Sequence, residues 1–184
     1  MARIHVIPPQ EATGELKEVY DNVVERRGAV ASVLQIQSLH PATLRTHLDM
    51  YVSILYGKSA LTRQERETIA VAVSQANGCN YCVSHHSDAL SKYQKDPAVV
   101  QALASGKTPA ALSQREAAVV EFARLVTTAP AGAGDGHIHA LRAAGLDDEE
   151  ILMATLTAAY FNFVNRIVHT LGVELELAHA HYKY

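Results

Sequence analysis

The 184-residue sequence has no tryptophan, three phenylalanines, six prolines and two cysteines. Two cysteines cannot build the disulfide framework that staples small secreted domains. So few prolines leave room for long helices. Neither charge sign dominates: the formal net charge is -3, with acids and bases interspersed, so nothing in the sequence attracts a phosphate backbone and nucleic acid is not expected as a partner. The opening Met1-Ala-Arg-Ile-His-Val-Ile-Pro-Pro9 lacks an apolar signal core. No later apolar run looks long enough to span a bilayer. The expectation is a cytoplasmic protein without a membrane partner. At this length one domain over residues 1–184 can bury a single sizeable core.

What is present is helical periodicity. Residues 1–10 read as an extended arm ending at Pro8-Pro9. From Thr13 to Arg27 the apolar residues Leu16, Val19, Tyr20 and Val23 recur at i, i+3, i+4 and i+7, with Gly28 as the stop. The short apolar stretch Val30 to Leu39 is expected to be a helix. Another starts at Pro41, with Leu44, Leu48, Tyr51 and Leu55 on its apolar face. Leu61-Thr-Arg-Gln-Glu65, Leu112-Ser-Gln-Arg-Glu116 and Leu146-Asp-Asp-Glu-Glu150 are three capping-box starts. Their recurrence is what an internally duplicated chain would show. Further helices are predicted from the cysteine stretch to Tyr93, from Pro97 to near Gly106, and over 113–129, 137–144, 148–170 and 173–182. The glycine-rich loop at 130–136 has no preceding strand and no phosphate-binding spacing. No alternating strand pattern occurs, and the fold class is all-α.

Both cysteines lie in Asn77-Gly-Cys79-Asn-Tyr-Cys82-Val-Ser-His-His86, spaced C-x-x-C, with His86 four residues after Cys82. Two thiols so close can cycle between dithiol and disulfide, and in a reducing compartment such a pair is more often catalytic or metal-binding than structural. With Asn77 or Gly78 as N-cap, Cys79 falls in the first helical turn, where free amides and the helix dipole favour a thiolate. His86 at i+4 shares a face with Cys82. Glu67 lies on the preceding apolar helix: a buried carboxyl hydrogen-bonded to an imidazole could pass protons to the thiols, whereas an acid in the first turn beside Glu65 could equally be solvated.

The run Glu67–x11–Cys79-Asn-Tyr-Cys82–x3–His86 resembles the signature of alkylhydroperoxidase AhpD-like proteins, within the carboxymuconolactone decarboxylase superfamily. Ala159-Tyr-Phe-Asn-Phe-Val-Asn-Arg166, Leu171-Gly-Val-Glu-Leu175 and Pro9-x-x-Ala12-x-Gly14 with Tyr20-Asp21 are similar to its peroxidase-related branch. The resemblance implies an AhpD-like helical bundle, assembly into a homo-oligomer, and a thiol-dependent hydroperoxide reductase needing neither metal nor other cofactor. It further implies Cys82 as attacker of the hydroperoxide, Cys79 as resolver, His86 as base and Glu67 as relay carboxyl, with an external dithiol reductant. Where those relatives carry a histidine before the second cysteine, this chain has Tyr81, a poor proton acceptor with a pKa of about 10.

Other readings stay open. A dithiol switch or disulfide reductase would use the same cysteines without peroxide turnover, and lactone decarboxylases use the fold without them. A structural zinc site would need a distant fourth ligand beside Cys79, Cys82 and His86. Covalent haem requires histidine at position 83, which is valine. His137 with His139, and His179 with His181, are i, i+2 pairs that do not share a helix face and read as surface histidines. Asn162, Asn165 and Arg166 interrupt an apolar helix, where buried polar groups need partners. They suit helix packing or a subunit contact, and Tyr160, Phe161, Phe163 and Val164 suit core or interface.

Overall fold

The computed structural model describes residues 2–176. Among them are nine α-helices, two 3-10 turns (Pro9–Glu11 and Pro130–Gly132) and no strand, so the chain is all-α as its periodicity predicts. The helices are α1 (Gly14–Arg27), α2 (Ser32–Gln35), α3 (Pro41–Tyr56), α4 (Arg63–Ala76), α5 (Asn80–Leu90), α6 (Pro97–Ala104), α7 (Gln114–Thr128), α8 (Asp135–Ala143) and α9 (Asp148–Leu171). They form two compact units, one from Met1–Val52 with Arg166–Tyr184 and one from Ser53–Asn165.

In the first unit, Leu16, Val19, Tyr20 and Val23 of α1 pack with Val30, Leu34 and Leu44 into an apolar core. Gly28 takes the left-handed conformation (φ 87°) and its amide closes α1 on Val24 O, as the sequence predicts. The N-terminal arm is held by side chain and backbone together. Arg3 donates from its backbone to Leu171 O and from its guanidinium to the carbonyls of His169 and Thr170, a cation on the exposed carbonyls at the end of α9.

The second unit is organised by the three predicted capping boxes, all of which form. Thr62 and Glu65 cap α4, Ser113 and Glu116 cap α7, and Asp147 and Glu150 exchange the same two bonds ahead of α9. Side chains also tie these helix starts together. Arg115 donates to Glu65 at 2.6 Å and to Glu150 at 2.7 Å, and Gln64 donates to Glu116 at 2.9 Å. The middle of α4, from Thr68 to Ser74, is buried throughout.

Four predicted boundaries differ. The helix expected from Val30 to Leu39 is only the four-residue α2, followed by turns. The helix of the cysteine stretch ends at Leu90, with turns to Tyr93, and α8 starts two residues early, at Asp135. Residues 173–176 are not helical; the remainder of the helix expected at 173–182, with His179 and His181, lies outside the described residues. The expectation of no membrane-length helix also needs correction. By length and composition α9 could cross a membrane, with mean hydropathy 1.3 over its most apolar stretch. Half of that stretch is buried inside the protein, and Thr157 and Asn165 on this helix are fully buried, as in a soluble core helix.

Candidate active site

The site lies within the second unit, where α4 turns into α5. Gly78 ends α4 with φ +67°, a conformation that costs glycine little. Its amide reaches Gln75 O and the next amide, Cys79 N, reaches Ser74 O, the paired bonds of a Schellman motif. The expected N-cap is thereby corrected: Asn77 is the C-cap of α4, and the N-cap of α5 is Cys79 itself, outside the first turn rather than in it. Cys82 falls on the third residue of α5. The loop is short: only Gly78 lies between Asn77, the C-cap of α4, and Cys79, the N-cap of α5.

Both cysteines are free thiols and both are buried, 1% and 3% exposed. Their sulfurs are hydrogen-bonded at 2.9 Å, well beyond the bond length of a disulfide. The Cys82 thiol and backbone amide both favour a charge on Cys79, and despite burial they hold Cys79 below an ordinary thiol. Cys82 is pushed far up by its hydrogen bond with Cys79, by burial and by the Cys79 charge, while Asn165 and Ser74 hydrogen-bond to it and act the other way. The resting pair therefore ionises first at Cys79.

Glu67 has no exposed surface, which corrects the solvated alternative. Its Oε2 meets His86 Nδ1 at 2.7 Å, and its Oε1 accepts from Arg63 Nε at 2.8 Å and Nη2 at 2.5 Å. Burial alone would raise this carboxyl, but the charges and hydrogen bonds of His86 and Arg63 outweigh it and hold Glu67 below the usual carboxylate range. An ionised Glu67 can only accept, so His86 donates its Nδ1 proton to it. The edge-to-face contact with Phe161, centroids 4.5 Å apart, fixes the other side of the His86 ring. Arg63 was not singled out in the sequence. Its i,i+4 spacing to Glu67 was the available signal, and its guanidinium also lies 3.8 Å above the Tyr56 ring.

A third group of residues is neutral. Asn77 Nδ2 donates to Asn165 Oδ1 at 2.8 Å and to Asn162 Oδ1 at 3.0 Å, and Asn165 Nδ2 donates to Ser74 Oγ at 3.2 Å. The asparagines that interrupt the apolar helix thus find partners at the cysteine turn. Tyr81 is buried, its ring 4.5 Å from that of His85. Phe161, Tyr160 and Val164 are buried, whereas Phe163 is 43% exposed. Among the described residues no group of three or more His, Cys, Asp or Glu side chains is arranged to hold a metal ion.

Residues 41–125, which contain the cysteine turn, α4 and α5, match the sequence profile of the Carboxymuconolactone decarboxylase family. Over that stretch the chain is similar to the carboxymuconolactone decarboxylase family, and its helical fold is AhpD-like. In structure the chain is similar to an alkylhydroperoxidase AhpD core, a peroxidase-related protein from Ralstonia eutropha JMP134. The two are 28% identical over 96% of this chain and 93% of that one, with a TM-score of 0.86. A peroxidase-related protein from Silicibacter sp. TM1040 is also 28% identical, over 91% of this chain and 87% of that one, with a TM-score of 0.81. A cysteine-to-alanine variant of the debrominase Bmp8, in complex with 2,3,4-tribromopyrrole, shares the AhpD-like fold at 20% identity, covering 96% of this chain and 95% of that one (TM-score 0.79). No curated protein matches the chain.

Proposed function

We propose that the protein is a thiol-dependent hydroperoxide reductase that cycles Cys79 and Cys82 between dithiol and disulfide. The observation that carries this reading is the 2.9 Å approach of two free thiols at the start of α5, the helix whose His86 is held by the ionised Glu67 and its partner Arg63. The similarity to peroxidase-related proteins supports the choice of oxidant.

The cycle starts with the charge on Cys79 and the proton on Cys82. Proton transfer across the thiol contact moves the charge to Cys82, which attacks the distal oxygen of the hydroperoxide. An S–O bond forms, the O–O bond breaks, and the leaving alkoxide takes a proton as the alcohol. Cys79 then attacks the Cys82 sulfenic acid, an S–S bond forms, and hydroxide leaves and is protonated to water. His86 Nε2 is the proton store for these steps. Glu67, held ionised, keeps the imidazole oriented and does not itself take up the proton. An external dithiol restores the pair by disulfide exchange. The proton path needs no contribution from Tyr81.

In the cell this reading places the enzyme in the cytoplasm as a homo-oligomer. Leu152, Leu156 and Phe163, which follow one face of α9 and are 41–55% exposed, are the surface it offers a second copy.

The test is peroxide consumption by the purified protein with excess dithiothreitol. Many turnovers per subunit, abolished by either Cys79→Ser or Cys82→Ser, are expected. Oxidation of two thiols without further turnover would make the pair a redox switch, and no oxidation would end the redox reading.

A further inference from the structure

A run of neutral side chains ends at the cysteine turn, and nothing in the proton path described above uses it. Asn165 of α9 and Ser74 of α4 have no exposed surface. Asn165 grips both ends of the last turn of α4. Its Oδ1 accepts from Asn77 Nδ2 at 2.8 Å, and its Nδ2 donates to Ser74 Oγ at 3.2 Å. Asn77 Nδ2 also donates to Asn162 Oδ1 at 3.0 Å, and Asn162 Nδ2 donates in turn to Thr127 Oγ1 of α7 at 3.0 Å. The two residues held this way bear directly on Cys79. Ser74 O accepts from Cys79 N at 2.8 Å, and Asn77 precedes Cys79 by two positions. The backbone bonds of the turn run back only to α4, whereas these side-chain bonds run to α9, between 85 and 91 residues away in the sequence.

We propose that Asn77, Asn165 and Ser74 form a clasp of positioning residues that orders the cysteine turn and so shifts the thiol–disulfide equilibrium of Cys79 and Cys82 towards the disulfide. The sulfurs stand 2.9 Å apart, so closing the bond asks for a movement of about 0.9 Å. A turn already ordered in the dithiol form gives up little further freedom when the disulfide closes. A loose turn must be ordered at that moment, which disfavours the disulfide. The clasp thus acts on the dithiol form, where the disulfide does not yet hold the turn itself. A residue that merely supports the fold stabilises both forms alike and leaves their equilibrium in place. This assignment rests on the dithiol reading and deepens it by naming what sets the poise of the pair, and it is tested without peroxide.

The experiment equilibrates the protein with graded mixtures of reduced and oxidised glutathione, then alkylates the free thiols and reads the dithiol fraction by mass. As the Cys79–Cys82 bond forms, the two thiols give up two protons and two electrons, and glutathione disulfide takes them up as two molecules of glutathione. Asn77→Ala is expected to shift the equilibrium about tenfold towards the dithiol, equivalent to about 30 mV for a two-electron couple. Ser74→Ala should give a smaller shift in the same direction, and it carries the test if Asn77→Ala does not fold. Because both act through Asn165, the double variant should shift by less than the product of the two single shifts. Asn80→Ala, an exposed position on the other side of Cys79, should leave the equilibrium where it is. An unchanged equilibrium in the folded variants would overturn the clasp, as would independent shifts that simply multiply. These results leave the dithiol reading standing. Failure of the parent protein to form the disulfide at any glutathione ratio would instead overturn that reading, and the clasp with it.

Discussion

The two compact units bury very different things. Among the described residues of the first unit, the buried polar side chains are Ser38 and His47, set in a core of Leu, Val and Tyr. The second unit buries Glu65, Arg66, Glu67 and Glu150 together with Ser74, Thr127, Thr157 and Asn165. His47 is kept neutral, its pKa lowered to about 4 by burial, with Nδ1 2.9 Å from Gln37 Oε1. Glu67 is kept charged between Arg63 and His86. The contrast separates packing from chemistry. A neutral buried histidine asks only for a hydrogen bond, whereas a buried carboxylate requires a surrounding of opposite charge that is costly to assemble. Such an arrangement, on the helix that carries Cys82, is what the proposed chemistry would use.

The Arg115 cluster shows that burying charge is not sufficient. Arg115 joins Glu65 to Glu150 and thereby ties together the starts of α4, α7 and α9, yet no thiol or imidazole appears among these contacts. It holds the frame on which the Glu67 chain is built.

The largest expected effect comes from removing the central charge of that chain. Glu67→Gln leaves Arg63 buried without its anion and should cost about 3–5 kcal/mol of stability. It should also lower peroxide turnover by about a hundredfold or more, since the His86 tautomer is no longer imposed. Urea unfolding and steady-state turnover of the variant measure the two losses separately.

Acidification should distinguish the units next. His47 is depressed from its ordinary value of 6.5, so the unfolded chain binds the proton first; stability is full above pH 6.5 and falls as the pH drops towards 4. The loss across that window should reach about 3 kcal/mol, and His47→Gln should remove most of it. Glu67 is also depressed, so its contribution is present above the ordinary carboxylate value of 4.5 and is lost only below it. Urea midpoints from pH 7 to pH 4 for the two proteins check the order.

The smallest effect belongs to the frame. Thr62→Ala removes the hydroxyl that accepts Glu65 N and should cost about 1 kcal/mol while leaving turnover unchanged. A large loss of turnover in this variant would erase the distinction between frame and site.

The sequence showed what depends on neighbours in the chain. Periodicity and capping located the helices, and the three boxes at 62, 113 and 147 formed because their bonds close within three residues. The N-cap of α5 was misplaced because Asn77 and Gly78 suit either role. The choice fell to α4, whose last carbonyls claim the amides of Gly78 and Cys79. Glu67 could be named but not assigned a buried or solvated state, because that depends on whether Arg63 and His86 converge on it. The Asn165–Ser74 contact was illegible, since 91 residues separate its partners and asparagine in an apolar helix announces only a need for partners.

The central claim is that Cys79 and Cys82 form the disulfide that stores the oxidising equivalents. The most direct measurement is peptide mass spectrometry of the protein after one equivalent of hydroperoxide, with free thiols alkylated before digestion. The account predicts a single peptide joining Cys79 to Cys82, lighter by two hydrogens and restored by dithiothreitol. Recovery of both cysteines as alkylated thiols, with the peroxide unconsumed, would contradict it.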